Sequence, residues 1–167
     1  PLVNPTPAPC SGIGVGASAR DAATNRHWLG TFSAATGTRL HAINADGTSM
    51  PLAFDSSERI EALAFDSLHQ EMLVLARRSD VDGLRVHRHD AASGLLVASN
   101  DVSGTCCVLR AGVSTWSNTL RAFIVVGQSA VDQPPALLAA PRSSSGMMPV
   151  SRAPALKRVA FAITNWR

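Results

Sequence analysis

Apolar residues in this chain fall in short runs, and turn-forming residues interrupt them every eight to twelve positions. No long window carries the i, i+3, i+4, i+7 spacing of an amphipathic helix with capping residues, so the pattern predicts strands. It is sharpest in the middle of the chain. Ile60-Glu61-Ala62-Leu63-Ala64-Phe65 predicts a strand ended by Asp66-Ser67, and positions 71–76 form a nearly continuous apolar run, as in a strand covered on both faces. Ser79-Asp80-Val81-Asp82-Gly83 is a turn by composition, and positions 84–89 and 95–99 read as the arms of a hairpin.

The flanking regions follow the same order. Positions 12–17 resemble a glycine-weakened strand, 27–32 and 38–43 predict two more, and 50–54 are a short strand or part of a long loop. Beyond the central unit, strands are predicted at 106–111, 120–126, 135–140 and 147–150, with a lone strand at 156–163. A turn ending in Gly recurs: Phe32-Ser33-Ala34-Ala35-Thr36-Gly37, His89-Asp90-Ala91-Ala92-Ser93-Gly94 and Arg142-Ser143-Ser144-Ser145-Gly146. Its glycines, at 37, 94 and 146, are spaced as in propeller blades rather than helical repeats. The predicted organisation is a Pro-rich arm over 1–11 and a β-repeat domain over 12–167. Its units span about 12–55, 56–104 and 105–150, and 156–163 is a closing strand.

The stretch Leu84-Arg85-Val86-His87-Arg88-His89-Asp90-Ala91-Ala92-Ser93-Gly94-Leu95-Leu96 resembles the hairpin of a WD40-type blade. His89-Asp90 stands where that family has Trp-Asp, and the Gly-His pair that opens its repeats is missing. Ala62-Leu63-Ala64-Phe65-Asp66 is similar to the inner strand of other propeller families. The resemblance, best over residues 60–104, implies an all-β fold of about three four-stranded antiparallel propeller-like blades, with a β-sandwich or barrel as the alternative. The strands tally as three, four, four and one. Closed propellers hold about 4–8 blades, so three imply a larger propeller or completion by another chain.

Composition narrows the classes. Hydrophobic residues make up 46% and charged residues 16%, which indicates a folded domain. The formal charge is +3 and the basic residues are scattered, which argues against nucleic acid. No run reaches the length of a membrane span. The chain begins at Pro1 without an initiator Met, so it reads as processed, excised from something longer, or incompletely recorded. Cys10, Cys106 and Cys107 define no disulfide framework and no compartment.

Candidate chemistry is sparse. Gly12-Ile13-Gly14-Val15-Gly16-Ala17 matches a dinucleotide fingerprint in letters, but a proline-rich arm precedes it and a polar loop follows where a helix is needed. His87 and His89 lie two apart on one strand and face the same way, so with Asp90 they form a candidate metal site. The plainer reading gives these histidines to solvent while Leu84 and Val86 pack inward. Asp80-Val81-Asp82-Gly83 is an ordinary turn rather than a calcium loop. No nucleophile elbow, zinc-protease helix or phosphate loop is present, and Ser, His and Asp without geometry define no triad. Trp28, Trp116 and Trp166 read as core or interface residues.

The resulting expectation is a non-catalytic scaffold or protein-interaction module without a cofactor, whose partners are other protein subunits or its own copies. The unpaired apolar edge at 156–163 (Leu156, Arg158, Ala160, Ala162) is the candidate interface. The alternatives are a hydrolase with a metal or polar channel site at His87 and His89, and a carbohydrate-binding lectin using the tryptophans.

Overall fold

The computed structural model describes residues 14–78, 83–102, 114–127, 136–142 and 148–149. They form twelve strands in three four-stranded antiparallel sheets, each a meander of consecutive strands. Sheet 1 holds β1 (Gly14–Asp21), β2 (Arg26–Ser33), β3 (Gly37–Ile43) and β4 (Ser49–Leu52). Sheet 2 holds β5 (Arg59–Asp66), β6 (Glu71–Arg77), β7 (Leu84–Asp90) and β8 (Leu96–Val102). Sheet 3 holds β9 (Ser114–Ser117), β10 (Ala122–Gly127), β11 (Ala136–Pro141) and β12 (Met148–Pro149). The all-β expectation holds, and the sheets do not close into a barrel.

Sheet 2 lies between the other two. Alternation along β6 sends Leu73 and Leu75 to one face, where they pack with Ala62, Ala64, Val86, Phe123, Val125 and Leu138 against sheet 3. Met72 and Val74 point the other way and join Trp28, Leu40, Ala42 and Ile60 against sheet 1. That is why β6 reads as a continuous apolar run. Met72, Leu73, Val74 and Leu75 are fully buried, each contributing about 1.5–3 kcal/mol by area. The first strands lie side by side, β5 touching β1 on one side and β9 on the other.

Three sequence expectations change. The first sheet has four strands, because Ser49–Leu52 pairs with β3 from Leu40↔Leu52 to Ile43↔Ser49. The strand next to β10 is Ser114–Ser117, which has no apolar alternation, and positions 106–111 lie outside the described residues. Finally, the recurring Gly turn occupies non-equivalent places. Gly37 closes the hairpin of the second and third strands, β2 and β3, whereas Gly94 precedes the fourth strand of its sheet, and the third copy, at Gly146, lies outside the described residues. The positional match to Gly94 is Gly47, between β3 and β4; both have positive φ, +85° and +75°.

A better repeat lies in the first hairpin of each sheet. Asp21 and Asp66 end the first strands, and both are fully buried. Asp21 accepts from the Ala23 amide at 2.8 Å, and Asp66 from the Leu68 amide at 3.1 Å. Ser117 holds the same place in sheet 3, accepting from the Leu120 amide at 3.3 Å. Each turn then closes on a left-handed residue, Asn25, Gln70 or Arg121. From 21 to 66 and from 25 to 70 the step is 45 residues, and the register breaks at Gly16 and Glu61 follow it too.

Candidate functional site

A pocket of about 390 Å³ opens where the segment after β4 crosses the outer half of sheet 2. It is lined by Phe54, Asp55, Arg85, His87, His89, Leu96 and Ser99, with Ala53 at its edge. Local turn chemistry builds it. Asp55 folds the 55–58 turn by accepting from the Ser57 amide at 2.9 Å and the Ser57 hydroxyl at 2.7 Å. Those bonds hold its carboxyl below the usual aspartate range. The turn delivers Glu58 inward, where it is 3% exposed.

Strand period then places three residues of β7 on the face turned to Glu58. His87 and His89 do share that face, as the sequence predicts, but it is not a solvent face. Phe54 meets the His87 ring edge-on at 5.2 Å between centroids, and Trp28 lies 6.1 Å from His89. The two histidines are 6% and 1% exposed. Leu84 and Val86 occupy the opposite, equally buried face, as expected.

His87 is held at both nitrogens. Its Nε2 is hydrogen-bonded to Glu58 Oε2, and its Nδ1 is 2.8 Å from the Ser99 hydroxyl on the directly opposing position of β8. Glu58 is also paired with Arg85, whose Nη1 donates to Oε1 at 2.6 Å. Arg85 Nε donates to Asp101 at 2.6 Å, the first cause of a guanidinium pKa raised further above its ordinary value. The carboxylate acceptor fixes the proton of a neutral His87 on Nε2, leaving Nδ1 to accept from Ser99.

His89 differs. Its Nδ1 donates to the Gly94 carbonyl at 3.1 Å, across the Asp90–Gly94 turn that Asp90 closes through the Ser93 amide at 2.7 Å. Burial pushes the His89 pKa below its ordinary value. Its Nε2 is buried and has no hydrogen-bond partner among the described residues. Of these two histidines, His87 has both nitrogens engaged and His89 has one buried nitrogen without a partner among the described residues. No group of three His, Cys, Asp or Glu side chains is arranged around a metal position among the described residues.

At the opposite end of the sheets a second ionic cluster joins sheets 2 and 3. Glu71 takes a bidentate contact from Arg88, at 2.9 and 2.7 Å, and a further bond from Arg142 Nη2 at 2.6 Å. Asp66 is bonded to Arg121 and lies 3.0 Å from His69 Nδ1. Both carboxylates belong to sheet 2, whereas Arg121 and Arg142 come from turns of sheet 3. Arg26, at the place in sheet 1 that Glu71 holds in sheet 2, likewise reaches the next sheet's last turn, donating to the Ala91 carbonyl at 3.2 Å.

The candidate interface residues Leu156, Arg158, Ala160 and Ala162, with Trp166 and the three cysteines, lie outside the described residues. Trp28 is fully buried in the core and offers no open stacking face, and Trp116, partly buried, packs edge-on against Phe123 at 5.2 Å. Among the described residues no helix is long and apolar enough to cross a membrane. Glu58 and Ser99 had no local signal in the sequence; Glu58 is 29 residues from its partner and Ser99 12. Compared with known proteins, the chain matches no family model and no curated protein.

Proposed function

We propose that the chain is a scaffold or protein-interaction module built of consecutive propeller-type blades, completed by other protein subunits or by further copies of itself. One observation carries this reading. Among the described residues both faces of sheet 2 pack into a core cluster, while sheets 1 and 3 each contribute one face to these clusters. On the remaining faces Leu29 and Ile43 of sheet 1 and Ile124 of sheet 3 are half-buried and Leu137 is 37% exposed, while Ala122 and Ala139 of sheet 3 are buried. A stack in which each sheet is covered by the next has open ends until it closes on itself, and about 4–8 blades are needed for closure. The side-by-side placement of β1, β5 and β9 and the 45-residue step between sheets 1 and 2 support the same arrangement.

The outer strand of sheet 2 adds a recognition surface. Leu95, Leu96 and Val97 are 70%, 54% and 52% exposed, at and just before a strand that, among the described residues, pairs only with β7. An apolar free edge of this kind accepts an added strand.

Light scattering on a size-exclusion column tests the reading. The expected particle contains two or more 17.5 kDa chains, or one chain with a co-purifying subunit. A mass of one chain alone would overturn the completed stack.

A further inference from the structure

The network under the pocket has more order than a packing role requires. Glu58, His87 and Ser99 form a continuous hydrogen-bonded line from a buried carboxylate, through a buried imidazole, to an exposed hydroxyl on the pocket wall. The carboxylate is paired with Arg85, and the ring is fixed from three directions by Glu58, Ser99 and the edge-on Phe54. A nucleophile bonded to a base, and that base oriented by a third group, is the arrangement that activates a serine; it is recognised by roles and geometry rather than by chain order. Here the chain order is Glu, His, Ser, and the ring nitrogens exchange their usual places, Nδ1 facing the serine.

We infer that Ser99 is a nucleophile for acyl transfer, with His87 as its general base and Glu58 as a positioning residue, acting on esters with a small apolar acyl group. The site goes beyond the assembly role and lies within one chain, between the segment after β4 and sheet 2. In the first step the Ser99 Oγ–C bond forms as the hydroxyl proton passes to His87 Nδ1. The C–O bond to the leaving group breaks, and the alkoxide takes that proton. Water then attacks the acyl-serine, giving its proton to Nδ1, and the carboxylic acid leaves as the proton returns to Oγ. Electrons and protons balance without a further reagent. Ala53, Phe54 and Leu96 give the pocket apolar walls for the acyl group, and Arg85 supplies positive charge toward the developing oxyanion.

The test uses the whole chain, a fluorophosphonate probe read by intact mass and peptide mapping, and p-nitrophenyl acetate hydrolysis. One adduct per chain on Ser99 is expected, with Ser99→Ala abolishing it and lowering ester hydrolysis at least tenfold. His87→Gln is expected to slow adduct formation at least about a hundredfold, the lower range for a positioned general base. Should His87→Gln unfold, Ser99→Ala decides alone, since that side chain is exposed. Glu58→Asp should recover part of the labelling rate that Glu58→Gln loses, which a purely structural carboxylate would not do. No adduct, an adduct elsewhere, or an unchanged rate in Ser99→Ala would overturn the proposal, whatever the mass of the particle.

Discussion

His89 is an imidazole that its surroundings keep uncharged. Its ring is 1% exposed, and burial holds its folded pKa below the ordinary 6.5. Above that value both folded and unfolded rings are neutral and the group does not affect the balance. As pH falls through 6.5 the unfolded chain takes up a proton that the folded chain refuses, so stability falls with pH. Urea unfolding between pH 7.5 and 5.5 should show this decline, with His89 contributing at most about 1.4 kcal/mol per pH unit. His89→Gln should flatten the slope; equal slopes would assign it to other groups. The sequence placed His87 and His89 together correctly, because strand period is local. It gave them to solvent because nothing within β7 tells that Trp28 and Phe54, from another sheet and its trailing loop, cover that face. Backbone conformation allows a second residue-scale contrast. Gly37 and Gly47 both have positive φ, at +69° and +85°, so alanine at either costs about 1–2 kcal/mol of strain. A Cβ on Gly47 meets nothing within 4 Å, but on Gly37 it would sit 2.6 Å from the Ser56 carbonyl oxygen, which is backbone and cannot swing aside. Thermal unfolding should therefore rank Gly37→Ala clearly below Gly47→Ala.

The hairpins joining first and second strands carry the contacts between neighbouring sheets. Asp66 and Glu71 flank one such turn, and each is met by an arginine from a turn of sheet 3. The Arg88 hydrogen bonds, then those of Arg142, outweigh burial and hold Glu71 below the usual glutamate range. Its contribution is therefore complete above the unfolded value near 4.5 and is lost as pH falls through the lower folded one. Glu71→Ala leaves Arg88 and Arg142 facing each other, and an equilibrium unfolding loss of about 2–3 kcal/mol at pH 7 is expected. The loss should shrink on acidification; a constant difference across pH 7 to 3 would mean that packing, not charge, is responsible. Most strands were legible at this scale, since β2, β3, β5, β6 and β10 carry clustered apolar residues bounded by turn residues, and β7 opens on Leu84 and Val86 alternating with Arg85 and His87. Ser114–Ser117 was not, because only Trp116 among its four residues supplies apolar surface and its place is fixed by pairing with β10. The equivalence of the turns at Gly37 and Gly94 failed for a related reason. Gly at 37 and 94 marks positive φ in two different hairpins, whereas the true step is written in Asp21 with Asn25 and Asp66 with Gln70, polar residues whose role shows only as turn caps.

Stacked sheets transmit one requirement to the whole molecule: every covered face needs a cover, and the two end faces are unequal. Among the described residues sheet 1 presents His27, Arg39 and His41 around Leu29 and Ile43, while sheet 3 presents Ile124 and Leu137 without charge beside them. The sheet 3 face is thus the one on which a single buried charge would cost most, since an unpaired carboxylate in an apolar joint is strongly disfavoured. If the proposed assembly forms, Leu137→Glu should release it to single chains while leaving the β signature of the circular dichroism spectrum intact. The side chain is 37% exposed within one chain, so the glutamate is tolerated there and penalised only when a further sheet is laid over it. Leu68→Glu is the matched control. Leu68 is 73% exposed in the turn between β5 and β6, at the end of the sheets rather than on a stacking face, and its substitution should leave the particle mass unchanged. Light scattering distinguishes the outcomes. Dissociation by Leu137→Glu alone locates the joint on sheet 3, dissociation by both points to general loss of solubility, and dissociation by neither removes the sheet 3 face as the site of assembly.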